Sequence, residues 1–327
     1  MTSRLITILA VALAVAALVG ASIRLTGSSH PAVRPVHTSL PHSPASYLGV
    51  FEPGAPPSWA PVAEFAAAAG REPNLLGYYS GWAESFDTSF AETIHQHGVI
   101  PFIQIDPTYA SIAAIADGTY DDYLRSYADS VRDFGHNVVI GFGHEMNANW
   151  YSWGYGHTPA STFVAAWRHI VTLFRAQGAD NVTWVWTLQA DEPCTGPIAD
   201  QPCTGPIASW WPGAQYVSWV GIDGYYRRPT DTFASIFGQT IKQVRTLTKL
   251  PVLLSETAVG PAAGQVNEIQ NLFHGMVAYN TLGLVWFDKA QHDGLDHQDW
   301  RLEDSPFAEI SFKLGVSADL APGPPAN

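Results

Sequence analysis

Val138-Val-Ile-Gly-Phe-Gly143 is a short apolar run, followed at once by His144-Glu-Met-Asn147. Further along, Phe163, Trp167, Ile170 and Phe174 recur at spacings of four, three and four. That is one face of a helix with a 3.6-residue period. Val182–Leu188 then makes a second apolar run, so the stretch reads as strand, polar turn, helix, strand. The same alternation extends in both directions. Tyr47–Phe51, Leu75–Tyr79 and Val99–Ile105 precede it; Val217–Tyr225, Pro251–Glu256 and Leu282–Phe287 follow. Helical periodicity returns at Tyr120, Leu124, Tyr127, Val131 and Phe134, and at Phe237, Ile241, Val244 and Leu247. The strand runs are nearly continuous in apolar residues, as parallel strands covered on both sides require. Eight of them with intervening helices predict an α/β fold of one domain, a (β/α)8 barrel. An open doubly wound sheet is the alternative, but no Gly-x-Gly-x-x-Gly turn follows the first strand.

The ends of the chain read differently. Arg4 precedes an uncharged run, Leu5 to Ile23, which Arg24 closes. Residues 1–25 are therefore expected to be a cleaved signal peptide or a retained membrane anchor, with 5–23 as the tether in the second case. Either places the remainder outside the cytoplasm, secreted or held on the outer face of the membrane. Residues 26–46, rich in Pro, Ser and His, are expected to be an exposed linker. The folded domain is expected to run over 47–316, with 317–327 a flexible tail. Cys194 and Cys203 lie in a nine-residue duplication, Asp191–Ala199 repeated as Asp200–Ala208. An exported chain favours a disulfide stapling that loop, although a slipped repeat in a tolerant loop would look the same.

Composition narrows the partner. Of the 327 residues 46% are hydrophobic and only 14% charged, and the net charge is −13. Such a chain has ample core and repels phosphate backbones, which argues against nucleic-acid binding. Twelve Trp, 13 Tyr and 15 Phe offer apolar platforms suited to a neutral hydroxylated partner such as a sugar. There is no His-Glu-x-x-His, and two cysteines without a nearby His pair do not make a zinc site, so no metal or other cofactor is expected.

In a (β/α)8 barrel, chemistry sits where strands end. Glu145 follows the fourth run and Glu256 closes the seventh, on nearly opposite sides of the ring. A glutamate at the end of an apolar strand is hard to explain by packing. Two facing carboxyls are the minimum equipment for cleaving a glycosidic bond: one protonated to donate, one ionised to attack. Loss of either would favour a non-catalytic carbohydrate-binding barrel; both are present.

The segment Gly143-His-Glu-Met-Asn-Ala-Asn-Trp150-Tyr-Ser-Trp153-Gly resembles the acid/base motif of glycoside hydrolase family 26. Val220-Gly-Ile-Asp-Gly-Tyr225, Leu254-Ser-Glu256 and Val285-Trp-Phe287 are similar to the family's later strands and occur in its order. The resemblance implies a retaining glycosidase, most commonly an endo-β-1,4-mannanase acting on mannan, galactomannan or glucomannan; the chain is expected to be a monomer. The same apparatus in that family also cuts mixed-linkage β-glucan and β-1,3-xylan. It implies Glu145 as acid/base and Glu256 as nucleophile, His144 hydrogen-bonding the sugar, and Tyr225 holding the nucleophile. Trp150 and Trp286 would line the reacting subsite. Ala148 and Thr257 depart from the family's usual residues and touch subsite shape. Asp106 either binds a hydroxyl or caps the loop before Pro107; Trp186 reads as core, Asp223 as a structural partner of its turn, and Asp288 is left outside the site.

Overall fold

The computed structural model describes residues 39–327, apart from 56, 191–203, 262–263, 292–297, 325 and 327. The described residues belong to the unit His37–Asn327. The expected signal or anchor and the Cys194–Cys203 pairing lie outside them.

Eight parallel strands close into a barrel in sequence order. They are β1 (Tyr47–Phe51), β2 (Leu75–Gly81), β3 (Ile100–Asp106), β4 (Val138–Phe142), β5 (Val182–Gln189), β6 (Trp219–Asp223), β7 (Val252–Thr257) and β8 (Gly283–Phe287). Around them run α1 (Ala60–Ala69), α2 (Thr88–Gln96), α3 (Ile112–Ala116), α4 (Asp121–Phe134), α5 (Ala160–Ala176), α6 (Phe233–Ile236), α7 (Gly238–Leu247), α8 (Gln265–Ala278) and α9 (Pro306–Asp319). The expected (β/α)8 architecture is the one found.

Local chemistry accounts for the helices. In α4 the apolar face Leu124, Tyr127, Val131 and Phe134 is buried. Asp121 and Asp122 sit in its first turn and Arg132 in its last, as the helix dipole favours. Gly135 ends it at φ 73°, where a side chain would be strained. The α5 face, Phe163, Trp167, Ile170 and Phe174, is likewise buried.

Strand alternation divides the core in two. Leu75, Ile100, Phe102, Val139, Val185, Trp219, Leu253 and Val285 fill the barrel interior. Leu76, Ile103, Ile140, Trp186, Val220, Leu254 and Trp286 face the helices.

The folded body is wider than residues 47–316. Leu40, Ala45, Leu320 and Ala326 are buried, and Leu40 and Ala326 join the interior cluster. The Ala45 N–H donates to the Thr281 carbonyl, the Ala321 N–H to the Ala45 carbonyl and the Tyr47 hydroxyl to the Pro41 carbonyl, each at 2.8 Å. Arg71 ties the tail down through the carbonyls of Val316, Leu320 and Ala321. Residues 39–46, 320–324 and 326 thus close the end of the barrel where the strands begin. Expected as linker and tail, they contribute single apolar residues among prolines, a signal too sparse to register in composition.

Candidate active site

The opposite end, where the strands finish, carries the polar residues. Behind β4 the backbone turns sharply: Gly143 and Glu145 both have φ +54°. A Cβ on Gly143 would meet the Phe163 ring at 2.8 Å, so only glycine fits there. Glu145 has no such excuse. A left-handed glutamate costs about 1–3 kcal/mol, and such strain collects at functional sites. The surroundings hold it in place. Its N–H donates to the Thr187 carbonyl at 3.0 Å, and Asn147 exchanges two 2.9 Å hydrogen bonds with Gln189 at the end of β5.

Glu145 is 7% exposed, and the Trp150 indole N–H donates to its Oε2 at 2.7 Å. Burial pushes its pKa up; His144, Trp150 and Arg227 pull against that rise. Trp150 itself is 48% exposed, so the donor that orients Glu145 also offers an open ring face.

His144 is buried, with Nδ1 donating to Asp106 Oδ1 at 2.8 Å and Nε2 3.1 Å from the Tyr151 hydroxyl. Burial acts to lower its pKa, but the charge and hydrogen bond of Asp106, with Glu145 and Asp223, outweigh this and raise it to about 9. The imidazole is therefore cationic at neutral pH. Both nitrogens are occupied within the protein, so the expected hydrogen bond from His144 to a sugar is not what this geometry offers. His144 instead fixes the loop that carries Glu145, and Asp106 is its partner.

Glu256 reaches the site by a different device. By strand parity it should face the helices, like Leu254. However, β7 pairs Leu253 with Gly221 but Glu256 with Asp223, and Leu254 with Leu284 but Thr257 with Trp286. Against both neighbours β7 carries one extra residue, a β-bulge that re-aims the side chain over the barrel mouth. There the Tyr79 hydroxyl donates to Oε1 and the Tyr225 hydroxyl to Oε2. Burial raises the pKa of Glu256 to about 8, and the charge of Lys289 opposes the rise. Two phenol donors also favour the ionised form. The Tyr79 ring lies 5.3 Å from the His144 ring, which joins the two halves of the site.

Ser255 points inward as well and donates to Asp223 Oδ1 at 2.5 Å. Asp223 is fully buried, and desolvation together with Glu145 raises its pKa well above the usual range.

Trp286 corrects the sequence reading. It is 1% exposed, its N–H donates to the Trp300 carbonyl at 2.9 Å, and its ring packs edge-on against Phe312 of α9. Val285 faces the barrel axis, so Trp286 must face the helices and Phe287 returns to the mouth. Phe287 is half-buried, stacks on Phe51 at 4.8 Å and meets Tyr225 edge-on at 5.8 Å. Tyr79 was also missed, yet it shares parity with the inward Leu75, a signal that the sequence does carry. Beside Tyr79 a cavity of about 540 Å³ opens between the ends of β1 and β2, with Glu52, Ser80 and Glu84 in its wall. Among the described residues no group of three His, Cys, Asp or Glu is arranged to hold a metal ion.

Two carboxyls on β4 and β7, set in contrasting environments at the mouth of such a barrel, are the equipment of a glycosidase. Residues 116–301 match the family model described as Glycosyl hydrolase family 26. The chain belongs to that family. It is similar to Endoglucanase H of Acetivibrio thermocellus, 26% identical over 283 residues, which are 81% of this chain and 30% of that protein. It is also similar to Mannan endo-1,4-beta-mannosidase A and B of Caldalkalibacillus mannanilyticus, 28% identical over 120 residues, 34% of this chain and 21% of that one. This family 26 chain thus spans less than a third of the length of the curated relatives it matches. Among solved structures, Bacillus subtilis mannanase man26 is similar with a TM-score of 0.58 at 19% identity, over 86% of this chain and 87% of the other. That likeness is one of fold.

Proposed function

We propose that the protein is a retaining endo-glycosidase that hydrolyses β-1,4-mannosidic bonds in mannan-type polysaccharides outside the cytoplasm. The observation that carries this is the division of labour between the glutamates. Glu256 receives hydroxyl donors on both oxygens, which favour the carboxylate over the acid and aim it. Glu145 is buried with one indole donor, and its raised pKa suits a proton donor.

The mechanism follows. Glu145 gives its proton to the glycosidic oxygen as that oxygen leaves the anomeric carbon, and a Glu256 oxygen bonds to the same carbon from the other face. Water then enters, Glu145 takes one of its protons, and the resulting oxygen nucleophile displaces Glu256 with restored configuration. His144, Asp106 and Tyr151 hold the Glu145 loop, while Trp150 and Phe287 present ring surface to the sugar. The apolar run Leu5–Ile23 supports action beyond the membrane. Mannan is favoured by the similarity to the Caldalkalibacillus mannosidase. A second reading, β-glucan, is favoured by the similarity to an endoglucanase over 81% of the chain.

The test is reducing-end release by the full chain from linear mannan, galactomannan, glucomannan, mixed-linkage β-glucan and β-1,3-xylan. Cleavage of the mannose-containing polymers is expected, and its loss in a folded Glu256→Ala variant. Cleavage of glucan alone would move the substrate, and full activity in Glu256→Ala would overturn the assignment of roles.

A further inference from the structure

Tyr109 stands out on the loop after β3. Its ring is wholly in solvent, at 101% relative exposure, and its backbone is in the left-handed region at φ +65°. Four other described non-glycine residues share positive φ. Ala45 and Ala83 are small, Asn280 is a residue type that tolerates the conformation, and Glu145 belongs to the site already described. A large aromatic in this conformation, gaining no packing in return, is strain without a structural benefit. Such an outlier points toward function.

The loop is stiff as well as exposed. Pro107 restricts its start, and Thr108 N–H and Ala110 N–H donate to the carbonyls of Asp106 and Pro107. Ser111 caps α3 immediately afterwards, accepting from the Ala114 N–H. The ring is thus presented from a fixed base, which lowers the entropy lost when a partner covers it. The place is the face where the strands end. Asp106 holds His144, and three residues of chain keep the Tyr109 Cα within about 11 Å of the Asp106 Cα. A polymer threaded past Glu145 therefore passes within reach of Tyr109 a few sugar units from the cleaved bond.

We infer that Tyr109 is a distal stacking platform, a binding position outside the reacting subsite that takes the C–H-rich face of a pyranose in the polysaccharide chain. The phenol suits that partner, with an apolar face for the ring and a hydroxyl edge for the surrounding water. The inference rests on the reading of the protein as a polysaccharide hydrolase. Its effect depends on chain length: a polymer that spans the loop gains from Tyr109, and a short oligosaccharide that ends before it does not.

The test compares the full wild-type chain with Tyr109→Ala, Tyr109→Gly and Tyr109→Trp, on the polymer that it hydrolyses and on the shortest oligosaccharide that it cleaves. The Ala and Gly variants are expected to raise KM on the polymer about 3- to 10-fold. Their kcat and their cleavage of the short substrate should be unchanged, and Trp should restore wild-type KM. Because glycine relieves the φ, Tyr109→Gly should also melt no lower than wild type. An unchanged polymer KM would overturn the inference, as would an equal loss on the short substrate, which would indicate damage to the Asp106–His144 loop. If wild type hydrolyses no polymer, the functional reading has failed. Affinity gels containing the same polysaccharides then decide: retardation of wild type but not of Tyr109→Ala sustains the platform, and equal mobility overturns it.

Discussion

Glu256 is gripped at both oxygens, and that grip sets how its charge responds to pH. The nucleophilic role needs the carboxylate, so the acid limb of kcat/KM follows its ionisation. Burial puts that ionisation near 8, well above the ordinary 4.5. Removing a hydroxyl that donates to the charged form makes the carboxylate harder to form, so its pKa rises. Tyr79→Phe and Tyr225→Phe should each move the acid limb to higher pH and lower kcat by about 10- to 100-fold, as loss of a charge-assisted hydrogen bond implies. A pH–rate profile for each variant checks this; an unmoved limb would remove the phenols from the account. Only part of this constellation was legible in the sequence. Tyr225 came from a family pattern, whereas Tyr79 sat in a run of apolar residues with no motif around it. Its partner lies 177 positions away. Long-range convergence of this kind depends on strand register, which local sequence does not encode.

Among the elements, β7 and β8 illustrate how parity governs the site and how it fails. The β8 run alternates regularly, so Trp286 turns to the helices and Phe287 to the mouth. In β7 one extra residue breaks the alternation and brings Glu256 inward beside Ser255. The runs of apolar residues that mark all eight strands were plain in the sequence, because burial on both faces needs them. The bulge was not, since Ser255-Glu256-Thr257 carries no local signature of it. Trp286→Phe should therefore lower stability by about 1–2 kcal/mol, through lost contact with Phe312 and loss of the indole hydrogen bond. Thermal melting and kinetics on one sample separate the outcomes. The Tm should fall with KM unchanged, and a raised KM at wild-type Tm would return Trp286 to the cleft.

At the scale of the molecule, the barrel is closed at one end by Leu40, Ala45, Leu320 and Ala326 and carries an accumulation of buried acids at the other. Leu40→Ala should cost about 2–4 kcal/mol, as a buried leucine does, and a chain begun at Tyr47 should lose at least as much. Denaturant melts of the two would show it, and a wild-type midpoint in both would mean that the plug is dispensable. The acids set the pH dependence. Burial raises Glu52 to about 7 against the lowering hydrogen bond of Asp288, burial and then neighbouring carboxyls raise Asp288 to about 8 and Glu303 to about 7, and burial alone lifts Glu256 to about 8. Each binds its proton more tightly folded than unfolded, where about 4 applies. Their contribution is complete below that value and is lost as pH rises through 7 and 8. His144, raised from 6.5 to about 9, acts in the same sense. The lowered carboxyls Asp117 and Asp299 act oppositely but lie at the surface. The Tm should fall between pH 5 and pH 8; a steady rise over that window would contradict the burial of these groups.

The central claim is that Glu145 and Glu256 work by double displacement, and the anomeric configuration of the first-formed product tests it most directly. Proton NMR of the full chain acting on a β-1,4-manno-oligosaccharide, followed from the first minutes, should show the β-anomer of the new reducing end before mutarotation brings in the α-form. First appearance of the α-anomer would contradict the account, because water would then have attacked in place of Glu256.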